Sequence, residues 1–134
     1  MFGDLVKSVT AYIDYDPAAD DVLPIWRAPH TVTLKAAYYT AANTLAANGS
    51  VFFTLQLLNG GSAGTATDAL TSIVGGTAAS GTAPGWVGLT PTALPITDAS
   101  VAAGDLVVLS YDESTTGTFT AGVVQIDYVD GIGE

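Results

Sequence analysis

Short apolar runs, each long enough for a strand, recur along the whole chain with turn residues between them. That pattern constrains the fold more than any single residue does. Side chains of a strand alternate between two faces, whereas a helix repeats every 3.6 residues or so, about the spacing these runs lack. Residues 6–13 read as a first strand, ended by the acidic turn Asp14-Tyr15-Asp16-Pro17-Ala18-Ala19-Asp20-Asp21. Residues 22–26 read as a second. Pro24 has no N–H for a ladder, so that strand belongs at an edge or carries an irregularity. In residues 31–38, Val32, Leu34, Ala36 and Tyr38 share one face, and Thr31, Thr33 and Lys35 share the other. Such a period of two marks a half-buried strand. Residues 50–58 alternate most clearly: Phe53, Leu55 and Leu57 oppose Thr54 and Gln56, and Asn59-Gly60-Gly61 stops the run.

The rest of the chain is less regular. Residues 41–47 are Ala-rich enough for a helical turn, but a loop before the turn dipeptide Asn48-Gly49 is the preferred reading. Residues 67–74 fit either a strand or a short helix. Residues 75–85 are rich in Gly, Ala, Ser and Thr and have too little apolar surface to offset the entropy of ordering. They read as a long loop, or one ordered by a neighbour. Residues 86–89 and 94–96 form short extended pieces, and Val101-Ala102-Ala103-Gly104-Asp105 turns the chain into a strand at 106–111. A polar loop over 112–117 leads to a last strand at 119–128. About eight strands and little helix predict an all-β, two-sheet antiparallel sandwich. Its predicted extent is a single domain over residues 1–134, with residues 1–7 as an N-terminal arm. A jelly roll is the first expectation. An immunoglobulin-like sandwich comes second, because its Cys…Trp…Cys spacing is missing.

Charge narrows the partners. Only 12% of residues are charged, and 13 acids face 3 Lys and Arg, for a net charge of −10. Phosphate backbones and anionic bilayers are repelled by such a chain, so neither nucleic acid nor membrane is expected as a partner. No apolar run approaches the ~20 residues of a spanning helix. The first residues lack the basic-then-apolar order of a secretion signal. With 49% apolar residues and so few charges, some apolar surface is expected to be covered by copies of the chain or by another protein.

Chemistry-bearing residues are sparse. There is no Cys, and His30 is the sole histidine, Arg27 the sole arginine. Without Cys, neither a disulfide framework nor a thiolate zinc site can form. Asp14, Asp16, Asp20 and Asp21 are the weak metal candidates, since hard cations want several oxygens from a tight loop. Their spacing is not that of an EF-hand, and a solvated turn with Asp capping backbone N–H groups is the simpler reading. His30 has no Ser or Cys in a nucleophile pattern, and Gly60-Gly61 and Gly75-Gly76 lack the Lys of a phosphate loop. Trp26, Arg27 and Trp86, with Phe2 in the arm, are the interface candidates, because interfaces are enriched in aromatic residues and Arg. Either Trp suits a core equally well. Tyr38 and Tyr39 would serve a glycan platform if exposed. No catalytic residue and no cofactor is expected, and an enzyme is not the expected class.

Three stretches carry a likeness to a known group. The first is Pro29-His30-Thr31-Val32-Thr33-Leu34-Lys35, followed by Val51-Phe52-Phe53-Thr54-Leu55-Gln56-Leu57-Leu58-Asn59-Gly60. The second is Val101-Ala102-Ala103-Gly104-Asp105-Leu106-Val107-Val108-Leu109. The third is Thr116-Gly117-Thr118-Phe119 running into Val123-Val124-Gln125-Ile126-Asp127-Tyr128-Val129. This layout resembles the small β-sandwich virion proteins of tailed bacteriophages, in particular capsid decoration proteins and related jelly-roll domains. The resemblance spans roughly residues 29–129 and is one of strands and turns. It implies a cementing role: a homo-oligomer, a trimer by preference, on the outer surface of the capsid, bound to the major capsid protein. Synthesis would be in the host cytoplasm. Residues 1–7 or the loop at 75–85 would be the segments that order against the shell.

Overall fold

Strands form where apolar and polar residues alternate, and two sheets form because each strand has one face to bury. The computed structural model describes residues 5–14, 21–45, 52–65, 67–75, 86–113 and 120–131. Among them are β1 Lys7–Ile13, β2 Asp21–Arg27, β3 Val32–Ala41, β4 Phe53–Asn59, β5 Asp68–Ala69, β6 Val74–Gly75, β7 Pro91–Ala93, β8 Ser100–Val101, β9 Leu106–Glu113 and β10 Gly122–Asp130. One sheet runs β1-β10-β3-β7, with β8 also paired to β3. The other runs β2-β9-β4-β5, with β6 also paired to β4. All pairs are antiparallel. There is no helix among the described residues. The protein is an all-β sandwich of two five-stranded sheets.

The pairing is nested. β1 lies against β10, β2 against β9, β3 against β7 and β8, and β4 against β5 and β6. The chain thus folds like one long hairpin whose two arms run side by side. That double ribbon then wraps on itself, so that β10 also pairs β3 and β9 also pairs β4.

The core lies between the sheets. Val32, Leu34, Ala37, Tyr39, Val124 and Ile126 enter from one, and Phe53, Leu55, Leu57, Val107, Leu109 and Tyr111 from the other. Burial of each large aliphatic side chain stabilises by roughly 1.5–3 kcal/mol. Residues 67–74 form neither one strand nor a helix. β5 and β6 are two residues each, and between them Leu70 turns into the core. Thr71 follows it, its hydroxyl accepting the Leu57 N–H at 3.0 Å and donating to the Ser72 carbonyl at 3.0 Å. A buried hydroxyl is tolerated because both of its roles are filled.

Two irregularities shape the sheets. In β2, Pro24 pairs with Val108 and Trp26 with Val107, leaving Ile25 as an extra residue on this edge strand. The irregularity expected from Pro24 is there. In β3, Asp127 faces Ala36 while Tyr128 faces Leu34, so Lys35 is extra. That bulge corrects the face assigned to β3. Val32 and Leu34 point inward as expected, but beyond Lys35 the alternation changes phase. Ala37, Tyr39 and Ala41 are buried, and Ala36 and Tyr38 face outward, half-buried. One extra residue moves every later side chain to the other face.

Candidate functional site

Trp26 and Arg27, adjacent at the end of β2, do different work. The Trp26 ring packs on Tyr128 with centroids 4.8 Å apart and planes tilted by 37°. Since β2 and β10 belong to different sheets, this pair closes one open side of the sandwich. Arg27 is exposed, yet its Nη1 donates to the Gly104 carbonyl at 2.6 Å and the Ser62 carbonyl at 3.1 Å. It ties together the turn after β4 and the turn before β9. The same two turns are joined by the Gly60 N–H to the Leu106 carbonyl at 2.7 Å and the Leu106 N–H to the Gly61 carbonyl at 3.0 Å. Asn59 adds to this, donating to Asp105 Oδ2 at 3.1 Å and accepting the Gly61 N–H at 2.8 Å. The guanidinium is thereby committed to holding its own chain.

Trp86 is not at the surface. It is 1% exposed, stacked on Phe53 with centroids 5.0 Å apart and planes within 6°, and edge-on to Tyr39 at 5.3 Å. Its Nε1 donates to the Phe53 carbonyl at 3.3 Å. As an interface anchor Trp86 is therefore corrected: a large ring that finds both apolar neighbours and a carbonyl for its N–H is stabilised inside. Tyr39 is buried beside it and donates its hydroxyl to the Thr120 carbonyl at 2.6 Å. Burial pushes the phenol far above its usual value, which keeps the proton on the donor.

The other tyrosine of the pair, Tyr38, lines an open groove of about 240 Å³ with Lys35, Ala93, Pro95 and Ile96. Lys35 is exposed beside it. The groove holds no carboxylate pair and no hydroxyl–imidazole pair among the described residues.

A cluster that sequence reasoning missed lies at the strand ends. Asp130 of β10 accepts from Lys7 Nζ at 2.7 Å through Oδ2, and its Oδ1 is 2.5 Å from His30 Nε2. Hydrogen bonds from Lys7 and then His30 hold the Asp130 carboxyl below its ordinary value, and the bond to Asp130 holds the Lys7 ammonium above its own. The three residues are far apart in sequence, so no spacing motif could have found them. His30 meets an acid but, among the described residues, no nucleophilic hydroxyl, and the cluster is exposed. It is a clasp between the start of β1, the end of β10 and the turn before β3.

Of the acidic turn, Asp14 follows β1 and is exposed, and Asp21 opens β2 and accepts the Val22 N–H at 2.9 Å. Asp16 and Asp20 lie outside the described residues, as do Phe2, the Asn48-Gly49 turn and residues 76–85. Among the described residues, no three His, Asp or Glu side chains gather as a metal site, and no helix is long and apolar enough to cross a membrane. No protein-family model, curated protein or solved structure matches the chain.

Proposed function

We propose that the chain is a non-enzymatic structural virion protein, a decoration protein that binds the outside of a phage head and stabilises contacts between major capsid subunits. The observation that carries this reading is the nested strand pairing, β1·β10, β2·β9, β3·β7/β8 and β4·β5/β6, wrapped into two sheets. That order supports a jelly roll, the architecture of many capsid domains. Two further observations favour assembly over chemistry. Arg27 and Lys7 are spent on contacts within the chain. Large apolar side chains stand out from the surface: Leu89 is 79% exposed, Leu5 71% and Ile73 65%. Copies would associate, as a trimer by preference, and would use apolar surface rather than ion pairs against the shell. The partner in this reading is the major capsid protein; neither nucleic acid nor membrane is engaged, and no cofactor is required.

The test is co-sedimentation of the purified chain with empty phage-type capsids at low and at raised salt. Binding that persists in salt supports the reading, because apolar burial is not screened. No binding at either salt, or full release at moderate salt, counts against it. A second reading, a fibre-tip or lectin-like module for host glycans, is favoured by Tyr38 in the outer groove and by Tyr12, which is 65% exposed. A glycan array on the same sample separates the two.

A further inference from the structure

An edge strand offers unpaired N–H and C=O groups to any strand that can reach them, and proteins blunt such edges. Among the described residues, three of the four sheet edges are blunted. β2 carries Pro24 and the extra residue Ile25. Beyond β3 the sheet ends in β7 and β8, three and two residues long. Beyond β4 the other sheet ends in β5 and β6, two residues each. β1 differs. It is seven residues long, has no Pro, and keeps an unbroken register with β10 from Lys7↔Tyr128 to Ile13↔Gly122. Among the described residues no strand lies along its other side. Val9 and Ala11 on its inner face are only half-buried, whereas Ile126 and Val124, opposite them on β10, are fully buried. Leu5 and Val6, leading into it, are 71% and 55% exposed.

We infer that β1 is a self-association edge, pairing antiparallel with β1 of a second copy about a two-fold axis at Thr10. Charge picks the occupant. With a net charge of −10, two copies repel across most of their surfaces. β1 contains no acid, and its one base, Lys7, is already balanced by Asp130. Two such edges meet without opposing carboxylates. The strand is also complementary to itself. Centred on Thr10, Ser8 faces Tyr12 of the second copy, Val9 faces Ala11 and Lys7 faces Ile13, so polar meets polar outside and Val9 and Ala11 complete each other's burial inside. Asp14 falls beside the second copy's Lys7 rather than beside its Asp14. The contact is isologous and therefore two-fold. It adds to any threefold contact and does not rest on the capsid reading.

The test is sedimentation equilibrium of the wild-type chain, Thr10→Lys, Thr10→Glu and an equimolar mixture of the two variants. The Thr10 side chain is exposed, so both variants should melt as the wild type does. Across the axis each variant sets like charges directly opposite. The expected result is that the wild type associates in even multiples, each variant loses at least about tenfold in association constant, and the mixture recovers it. Amide exchange gives a second readout independent of the variants: β1 amides should gain protection as wild-type concentration rises. A wild-type monomer at high micromolar concentration, variants that associate like the wild type, or β1 exchange indifferent to concentration would each overturn the inference. Capsid co-sedimentation of the same variants reads the proposed function separately.

Discussion

At the scale of single residues, the aromatic cluster around Trp86 decides the stability of the sandwich. Phe53 stacks on it, Tyr39 packs against it nearly at a right angle, and Gly75 approaches it so closely that an added Cβ would stand 2.4 Å from its Cζ2. Trp86→Ala should lose about 3–5 kcal/mol, measured by chemical denaturation. A loss under about 1 kcal/mol would mean that the ring is not a core element. Gly122 is a second such point. A Cβ there would lie 2.2 Å from the Thr40 carbonyl oxygen and 2.8 Å from the Tyr39 ring, with backbone that cannot swing away. Gly122→Ala should cost about 1–3 kcal/mol and lower the melting temperature by several degrees, read by calorimetry. An unchanged melting temperature would refute that close contact. Neither residue's role was legible in the sequence. A Trp after a Gly-rich stretch suits a core or an interface, and the close approach of Gly122 is created by a strand some eighty residues away.

At the scale of elements, β4 was legible because apolar and polar residues alternate strictly from Phe53 to Leu57: Phe53, Leu55 and Leu57 inside, Thr54 and Gln56 outside. The kink in β2 was legible because Pro24 lacks a donor. β3 misled for a physical reason. From Ala36 to Tyr39 both phases of its alternation are an Ala followed by a Tyr, so this stretch reads equally well with either set inside, and only pairing with β10 marks Lys35 as extra. This makes a sharp prediction. Deleting Lys35 should leave Leu34, Ala37 and Tyr39 in regular alternation on the inner face, with cooperative unfolding retained. Deleting Tyr38 should throw Tyr39 outward and break its bond to the Thr120 carbonyl, abolishing the cooperative transition. Circular dichroism melts of the two deletions check this, and equal behaviour would refute the bulge assignment.

At the scale of the whole molecule, the two-sheet class was legible from strand count and turn spacing, but the nested order and the Lys7–Asp130–His30 clasp were not, because they are made by topology. The clasp has a pH signature. The Asp130 carboxyl is lowered, so its stabilisation is full above the ordinary 3.8 and fades as pH falls through the folded value. The Lys7 ammonium is raised, so its stabilisation is full below 10.5 and fades as pH rises through the folded value. Asp130→Asn should therefore be less stable than the wild type near neutrality and converge with it at both extremes. Denaturation at acid, neutral and alkaline pH tests this, and a gap that persists in strong acid would assign the loss to something other than charge. The nested order also has a consequence in time. The strand neighbour of β1 is β10, and Lys7 meets Asp130 across 123 residues. At a ribosomal rate of about 5–20 residues per second, β1 waits roughly 6–25 seconds for the strand that completes it. Through that interval the nascent chain holds out its least guarded segment, next to other nascent chains on the same message.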